Sequence, residues 1–308
     1  MGVKLLSKLL KQECKDISKK LHLSELYGKK ICIDASIYLY RFKCNDTLIE
    51  SLFTMCSVFR KYNIDVVFVF DGKPGTEKME EINTRREDRY NKWVLYDQLK
   101  EKKVLTEKEK VQLYKLKRTL TKIKSDDIIL VKSLLDSYGI KYIQANGEAD
   151  TLCASLVNKK KVFGVLSEDM DLFAYGSINV LRYFSLVTHT VIVYNYKKIL
   201  EKLEITDSDF KLLCVLAGND YFKNENNIFH YYSLYKKYKK KNTNDDWLYW
   251  LIDNNYITND KNDEINKIKN IYTLTGDELS YYKYFIIKNT RYDLKKIMEL
   301  LSKERFLL

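Results

Sequence analysis

The stretch from Gly164 to Gly176, GVLSEDMDLFAYG, carries two carboxylates shortly after an apolar run. The run at 162–166 is typical of a buried strand, and open α/β sheets place their sites at the carboxyl ends of such strands. Asp169 and Asp171 are two residues apart, so both side chains can face one crevice. Two anions this close repel each other and resist ionisation at neutral pH. The spacing predicts a positive ligand between them, and a solvated loop at a strand end is the simpler alternative.

Further acids end other predicted strands or begin predicted helices. Parallel strands bring their carboxyl ends to one edge of a sheet, so we expect these acids to converge. Carboxylates gathered without compensation are costly, and hard divalent cations with oxygen ligands resolve the conflict. We therefore predict two Mg²⁺ ions, replaceable by Mn²⁺ and about 4 Å apart, as in the two-metal clamp for in-line attack on a phosphodiester. The candidate ligands are Asp34, Asp71, Glu148, Asp150, Asp169, Asp171 and Asp220.

The elements that must position these acids alternate between strand and helix. The run KICID ends at Asp34, the run DVVFVF ends at Asp71, and a pattern with helical spacing lies between them, which implies a right-handed parallel βαβ unit. We expect a mostly parallel central sheet in an α/β fold. Strands are predicted at 30–33, 65–70, 140–143 and 162–166, antiparallel edge strands at 178–183 and 190–193, and helices at 3–11, 35–62, 125–139, 147–157 and 196–217.

Residues 72–124 interrupt this alternation with a long, basic segment that has no strand pattern. It holds 16 Lys or Arg against nine Asp or Glu, and its apolar residues are sparse. Such a segment is typical of a helical insertion that lies over something negative, or of a solvated helix with many surface ion pairs. Residues 223–308 are also predicted to be helical and rich in lysine.

The overall composition favours a folded protein with a polyanionic partner. The chain has 308 residues, 45% of them hydrophobic, and a net charge of +12, which points to nucleic acid before an anionic membrane. The six cysteines form no C-x-x-C pair, so we expect free thiols in a reducing compartment and no zinc site. The apolar runs are far shorter than a bilayer span, and no signal peptide is recognisable.

Six motifs resemble, in order and near their spacing, the flap endonuclease (XPG-like) family of structure-specific 5′-nucleases. The similarity covers roughly residues 1–221 and implies an αβα sandwich with a mostly parallel sheet and a helical arch at 72–124. It implies a nuclease core at 1–221 and a helical DNA-binding region at 222–308. The motifs are MGVKLLSKLL (1–10), IDASIYLYRF (33–42), VFVFDGKPGTEK (67–78), NGEADTLCASL (146–156), GVLSEDMDLFAYGS (164–177) and LAGNDY (216–221).

The resemblance also implies roles for individual residues. Asp34, Asp71, Glu148 and Asp150 resemble the ligands around a first metal ion, and Asp169, Asp171 and Asp220 resemble those around a second. Lys78 and Arg85 match the arch cations that grip the scissile phosphate, with Arg86 and Arg89 as nearby alternatives for DNA contact. Tyr40 matches an aromatic residue that stacks on a base, although its type also fits core packing. Gly2 resembles the glycine that lets the backbone approach DNA.

The chain departs from the family pattern in three places. Asp150 stands where flap endonucleases commonly have Glu, which shortens the reach of the ligand. The stretch FKNENNIFHYYSLYKKYKKKN (222–242), which follows AGNDY, contains no glycine, so it departs from the family's G-x-G turn, which holds a potassium ion and a duplex phosphate. The final residues, LLSKERFLL, lack a recognisable sliding-clamp peptide.

These observations predict a metal-dependent 5′ flap endonuclease with 5′→3′ exonuclease activity on branched DNA. Its setting would be intracellular, in the nucleus or at a site of DNA replication, recombination or repair. The alternatives are a related junction resolvase, an exonuclease, an RNA-directed nuclease, or an inactive scaffold that binds nucleic acid. Retention of all seven acids argues against the scaffold, because without metal ions they would be a liability.

Overall fold

The computed structural model describes residues 2–73, 79–241, 245–282 and 285–303, and all their side chains except those of 79–88, 281 and 303. The chain divides into two compact units, and each is assembled from separate stretches of sequence. Unit 1 consists of Met1–His22, Asp150–Ser185 and Thr190–Phe285, and unit 2 consists of Leu23–Ala149, Leu186–His189 and Ile286–Leu308.

In the described residues, strands interspersed with helices extend to Asn195, and helices follow from Tyr196 onward. The strands are β1 (Lys19–His22), β2 (Lys30–Asp34), β3 (Asp65–Phe70), β4 (Lys141–Gln144), β5 (Gly164–Leu166), β6 (Asn179–Ser185) and β7 (Thr190–Asn195). The helices are α1 (Leu6–Glu13), α2 (Ala35–Cys44), α3 (Leu48–Lys61), α4 (Met79–Lys100), α5 (Glu107–Leu120), α6 (Ser125–Ser137), α7 (Ala149–Asn158), α8 (Asp171–Ala174), α9 (Tyr196–Leu203), α10 (Asp207–Leu216), α11 (Ile228–Lys240), α12 (Trp247–Asp253), α13 (Asn262–Ile271) and α14 (Leu294–Lys303).

Unit 2 contains three parallel strands in the order β2, β3, β4. The central strand β3 is buried from Val66 to Phe70, as expected for a parallel strand covered on both faces. Helices α2 and α3 pack against β3, and α6 packs against β4. This packing explains why DVVFVF is a continuous apolar run rather than an alternating one.

Unit 1 contains four strands in the order β1, β7, β6, β5. β5 and β6 are parallel, whereas β6 and β7, and β7 and β1, are antiparallel. The predicted antiparallel pair at 178–193 is therefore confirmed. The predicted edge position is wrong for both strands, because β6 lies between β5 and β7, and β7 lies between β6 and β1. The sequence KKLH of β1 is short and mostly polar, so it gives no recognisable strand pattern.

Two predicted helices are each broken into two. The helix predicted over 35–62 stops at Cys44, where Asp46 adopts a positive φ of 56°, and α3 begins again at Leu48. The helix predicted over 196–217 breaks at Glu204, which has a φ of 51°. A residue with positive φ commonly ends a helix. Because the apolar spacing continues on both sides of each short break, the sequence pattern does not show the break.

The helical insertion of unit 2 consists of α4 and α5. Thr106 begins α5 with a capping box, in which its hydroxyl accepts from the Glu109 amide while the Glu109 carboxylate accepts from the Thr106 amide. The Arg89 guanidinium joins the two helices, because it donates to the carbonyl oxygens of Leu120 and Thr121 at 3.2 and 3.0 Å. The basic segment is thus an ordered helix pair over its described length.

An extended strap at 286–293 lies along the start of β3. The Asn289 side chain donates to the Ile64 carbonyl at 2.9 Å and accepts from the Val66 amide at 3.3 Å. The Asn289 amide donates to the Asp65 carboxylate at 2.8 Å. Helix α14 then packs on α6. A strap within this predicted helical region was not anticipated, because its bonding partners are about 220 residues away.

Other features of the described chain agree with the composition. All six cysteines are buried and none is joined in a disulfide, as the structure describes each of them. Burial, with the carboxylates of Asp16 and Glu13, raises the pKa of the Cys14 thiol to about 12, so this thiol stays protonated and poorly nucleophilic. Among the helices of the described residues, none combines the length and the apolar character needed to cross a bilayer.

Replacing Asn289 by Ala should destabilise unit 2, because the substitution leaves the Ile64 carbonyl and the Val66 amide without their partner. We expect the free energy of unfolding to fall by about 1–3 kcal/mol, the usual cost of unsatisfied backbone groups. Urea denaturation followed by circular dichroism measures this. Lys288→Ala, at an exposed neighbouring position, is the matched control. Equal denaturation midpoints for the two variants would show that the hydrogen bonds of Asn289 do not stabilise unit 2.

Candidate active site

In unit 2, β2 and β3 carry acids at their carboxyl ends. Asp34 is the last residue of β2, is only 4% exposed and immediately precedes α2. In the parallel register Asp34 lies opposite Val69, so Asp71 follows two residues further along the neighbouring strand. The predicted convergence of these two strand ends is therefore present within unit 2.

The Asp71 carboxylate is held by hydrogen bonds from two residues, each of which lies one or two positions after another acid of unit 2. Its carboxylate accepts a hydrogen bond from the Ser36 hydroxyl at 2.5 Å and another from the Ala149 amide at 2.9 Å. Ser36 lies in the first turn of α2, two residues after Asp34, and Ala149 follows Glu148 at the start of α7. These bonds draw Asp34, Asp71 and Glu148 to one region of unit 2. Sequence reasoning missed Ser36, although a hydroxyl two residues after an acid was visible.

Gly72 permits a close approach between the loops that follow β3 and β4. Its amide donates to the Gly147 carbonyl at 2.7 Å, and the Gln144 side chain donates to the Asp71 carbonyl. A Cβ at position 72 would lie 2.1 Å from the Ala145 carbonyl oxygen, a distance that backbone atoms cannot tolerate. The glycine after Asp71 is therefore a steric requirement for holding that acid next to the start of α7.

In unit 1, Asp169 and Asp171 form a compact buried turn after β5. The Asp169 amide donates to the Ser167 hydroxyl at 3.0 Å, and the Asp171 amide donates to Asp169 Oδ1 at 3.0 Å. The two residues are 6% and 3% exposed. The turn thus buries two carboxylates side by side, and the Asp171 amide meets part of the hydrogen-bonding capacity of the Asp169 carboxylate.

The negative potential of this turn is visible in neighbouring groups. Burial, followed by the Asp171 charge, raises the pKa of the Cys214 thiol and of the Tyr272 phenol well above their usual values. Both groups therefore stay neutral over the physiological pH range. Such a field favours a bound cation close to Asp171.

The amino-terminal segment approaches these two acids directly. Gly2 has a φ of +75°, and a Cβ there would lie 2.3 Å from Asp169 Oδ1 and 2.5 Å from Asp171 Oδ1. The Lys4 amide donates to the Gly218 carbonyl at 2.9 Å, which ties this segment to the turn that contains Asp220. Within that turn the Asn219 side chain accepts from the amides of residues 221 and 222 at 2.8 and 2.9 Å. Unit 1 thus groups Gly2, Asp169 and Asp171 and orders the turn of Asp220 beside them.

The donor set of the candidate ligands fits a hard divalent cation. Every candidate ligand is a carboxylate, and Gly2 leaves clear the space beside Asp169 and Asp171 that a Cβ would fill. In the part of the chain that the structure describes, no group of three or more His, Cys, Asp or Glu side chains is arranged to hold a metal ion. The seven-ligand set therefore stays a prediction. Asp150 lies half-buried in the first turn of α7.

The predicted DNA-contacting residues have different surroundings. Tyr40 on α2 is 46% exposed, so its ring is accessible for stacking. Lys78 lies outside the described residues, and Arg85 and Arg86 belong to α4 at positions whose side chains are not described. The Arg89 guanidinium donates to carbonyl oxygens at the carboxyl end of α5, so it has a structural role.

Two charged groups near Asp169 were missed by sequence reasoning. Arg182 is 5% exposed and forms an ion pair with Glu168, with 3.2 Å between Nη2 and Oε2. Lysines at positions 4, 8 and 11 follow the i, i+4, i+7 spacing of one helix face, a signal that was available in the sequence.

Comparison with known proteins identifies the family of this chain. The XPG N-terminal domain matches residues 1–92, and the XPG I-region matches residues 139–220. Flap endonuclease 1 of Encephalitozoon cuniculi is 34% identical over 238 residues, which cover 72% of this chain and 68% of that protein. The chain belongs to the XPG family.

Other XPG-family relatives extend this finding. Flap endonuclease 1-A of Sorghum bicolor is 33% identical over 243 residues, or 72% of this chain. The match spans about 62% of the length of that relative and of flap endonuclease 1 of Aedes aegypti.

Solved structures of family members share the fold. The catalytic core of Rad2 in complex with DNA substrate has a TM-score of 0.70 at 21% identity and covers 98% of this chain and 95% of that one. Flap endonuclease-1 from Methanococcus jannaschii has a TM-score of 0.64 at 20% identity, covering 93% and 90%. Human GEN1 in complex with Holliday junction DNA also scores 0.64 at 19% identity, covering 99% and 73%. The predicted α/β fold of this XPG-family chain, with a mostly parallel sheet, is confirmed.

Gly72→Ala should disturb the setting of Asp71, because the new methyl group would collide with the backbone of residues 145 and 146. We expect a loss of about 1–3 kcal/mol in the free energy of unfolding, the usual cost of overpacking. Gly147→Ala is the matched control, since a Cβ there meets nothing within 4 Å. Urea denaturation compares the two variants. A Gly72→Ala protein as stable as Gly147→Ala would show that the loops after β3 and β4 can move apart without lowering the free energy of unfolding.

Proposed function

We propose that this protein is a Mg²⁺-dependent, structure-specific 5′ flap endonuclease with accompanying 5′→3′ exonuclease activity on branched DNA. The observation that carries the proposal is the pair of buried carboxylates, Asp169 and Asp171, with the Gly2 backbone packed against both. Several relatives bear the name flap endonuclease 1, and one matched structure is GEN1 with product DNA and a Mg²⁺ ion. The proposed setting is DNA replication, recombination or repair.

The proposed metal ligands are the seven predicted acids. Asp34, Asp71, Glu148 and Asp150 would serve one ion, and Asp169, Asp171 and Asp220 would serve the other, partly through water. When bound, such ions activate water for attack on a phosphodiester and stabilise the charge that develops on its oxygens. The Ser36 hydroxyl and the Ala149 amide hold the Asp71 carboxylate in one orientation, and the Asp171 amide orients Asp169.

The remaining proposed contacts concern the DNA itself. Lys78 and Arg85, with Arg86 and Arg89 as alternatives, would present cations to the scissile phosphate from the helical insertion. The exposed ring of Tyr40 would stack on a base beside it, which is sequence-independent because every base has a π face. The region at 222–308 would contribute to DNA binding through its lysines. Specificity would then come from the shape of the DNA rather than from base edges.

Asp171→Asn should abolish metal-dependent cleavage while DNA binding persists. The substitution keeps the size of the side chain but removes a charge that the proposed ion needs, so we expect cleavage to slow by at least about 100-fold. The assay uses labelled 5′ flap, nicked, hairpin and four-way DNA with and without Mg²⁺, and anisotropy in EDTA for binding.

The exposed acid Glu201 of α9 provides the control substitution, Glu201→Gln, which should leave cleavage unchanged. Equal cleavage by Asp171→Asn and the parent protein would end the metal-ligand proposal. A parent protein that binds all four DNAs but cuts none would favour the inactive scaffold, and preferential cutting of four-way DNA would favour a junction resolvase.

Gly2→Ala should impair cleavage through a collision with the two acids. The methyl group would overlap Asp169 Oδ1 and Asp171 Oδ1 and would add the cost of a positive φ. We expect cleavage of the 5′ flap to slow by about tenfold or more, equivalent to at least about 1.4 kcal/mol of lost transition-state stabilisation. Gly28→Ala controls for backbone strain, since Gly28 has a φ of +70° with nothing within 4 Å. Equal cleavage rates for the two variants would show that the packing of Gly2 against Asp169 and Asp171 does not affect the reaction.

A further inference from the structure

Unit 1 contains an open pocket of about 560 Å³ on the side of the amino-terminal segment. Gly2 and Met170 line it, so the pocket adjoins the turn that carries Asp169 and Asp171. The rest of its wall is strongly basic. The charged lining residues are Lys4, Lys8, Lys11, Arg182 and Glu168.

The three lysines present their charges without acidic partners. All three are exposed, and none forms an ion pair with a residue that the structure describes. The Lys8 ammonium lies 5.7 Å from the ring centre of Phe229, and the Lys11 ammonium lies 5.1 Å from that of Tyr183. These aromatic faces hold the lysine side chains in place without neutralising them.

The acids closest in sequence to these lysines are engaged elsewhere. Glu13 pairs with Lys236 at 3.4 Å, and Asp16 pairs with Lys202 at 2.7 Å. The residues that line the pocket therefore carry an excess of positive charge, because Glu168 is the one acid among them and pairs with Arg182.

Arg182 is built into the pocket. Its Nη2 donates to the Glu168 carbonyl at 3.1 Å and pairs with the Glu168 carboxylate, and its Nη1 donates to the Ser7 hydroxyl at 3.4 Å. The residue is 5% exposed, and its Nε has no hydrogen-bond partner among the described residues. A buried donor of this kind is costly unless a ligand or water completes its bonding.

A β-bulge directs these groups towards the pocket. The register of β6 against β7 shifts between Arg182 and Ser185, and Tyr183 adopts a φ of 56°. Its amide donates to Glu168 Oε1 at 2.6 Å. A bulky residue at positive φ is strained, and bulges commonly re-aim side chains at functional sites. The strand is thus bent at the point where Arg182 and Glu168 meet the pocket.

The Tyr183 phenol reports the same positive potential. Burial by itself would raise its pKa, but the hydrogen bond with Ser7 and the charges of Arg182 and Lys11 outweigh burial and lower the pKa. Stabilisation of a phenolate by this environment means that other anions would be stabilised there too.

We propose that this pocket binds a phosphate group of the nucleic-acid substrate, next to the phosphodiester that would be cut at Asp169 and Asp171. The inference rests on the proposed function. An exposed set of ammonium groups above a buried guanidinium suits a phosphate, which offers several acceptor oxygens to diverging donors. The same chemistry is supplied by a terminal 5′-phosphate or by an internal phosphodiester, and DNA with and without the terminal group distinguishes them.

The test removes two of the exposed charges from the full chain and measures binding without cleavage. Lys8→Gln with Lys11→Gln should weaken binding of a 5′ flap DNA by about tenfold in EDTA, as for lost hydrogen bonds to a charged group. The slope of log affinity against log salt should fall by about one, since one phosphate contact is lost. Fluorescence anisotropy over a range of salt concentrations measures both. Lys197→Gln, an exposed lysine of α9 that does not line the pocket, is the matched control.

A comparison of 5′-phosphorylated and 5′-hydroxyl DNA shows which phosphate the pocket binds. If the double variant loses affinity only for 5′-phosphorylated DNA, the pocket takes the terminal group, and if it loses affinity equally for 5′-hydroxyl DNA, the pocket takes an internal phosphate. A double variant that binds both DNAs as the parent does, or no worse than Lys197→Gln does, would overturn the proposal.

Neutral methylphosphonate linkages provide a second, independent readout for an internal phosphate. One such linkage at the bound phosphate should weaken binding by the parent protein and have no further effect on the double variant, as in a double-mutant cycle. Equal losses in both proteins at every position would place the contact elsewhere. These binding measurements need no cleavage. An inactive parent protein would therefore refute the proposed nuclease function, and the phosphate-binding proposal would still be tested by the affinities.

Discussion

Carboxylates buried close together at strand ends are the constraint around which this protein is arranged. Removing an ionised carboxylate from water costs several kcal/mol unless hydrogen bonds or a counter-charge compensate it. In unit 1, Asp169 and Asp171 are almost fully buried and share a single tight turn. In unit 2, Asp34 is buried and Asp71 is held by a hydroxyl and an amide. Local donors fix the orientation of Asp71 and Asp169, and a cation would complement the charge of the group.

Close approach of the backbone is the means by which both units build these arrangements. Gly72 lets the loop after β3 touch the loop after β4, and Gly2 lets the amino-terminal segment touch the two acids of unit 1. In both places a Cβ would overlap an oxygen atom within about 2.5 Å. Glycine is therefore needed for contact rather than for flexibility, and at Gly2 also for a positive φ.

The amino-terminal segment combines two tasks in a few residues. Gly2 packs on the acids, while Lys4, Lys8 and Lys11 face the basic pocket beside them. The bond from the Lys4 amide to the Gly218 carbonyl fixes this segment against the turn of Asp220. Negative and positive groups thus lie side by side in unit 1.

Sequence patterns alone were enough to identify the strands β2, β3, β4 and β5, the helical insertion and the acids that follow the strands. These features follow from short-range patterns, because an apolar run ending in Asp reads the same in isolation as in the fold. The order and spacing of six such motifs were sufficient to indicate the family. The sequence also displayed the lysines at positions 4, 8 and 11, but their spacing alone did not reveal what they face.

Features that join distant residues became visible only in the folded chain. The polar strand β1 exists because β7 offers it an edge, and the strap at 286–293 exists because β3 begins beside it. The pairing of Arg182 with Glu168 depends on a bulge in β6, and the fixing of Asp71 by Ala149 depends on the contact between two loops. Local composition encodes which segments are strands and helices, whereas these contacts depend on backbone geometry and on partners that the sequence pattern does not show.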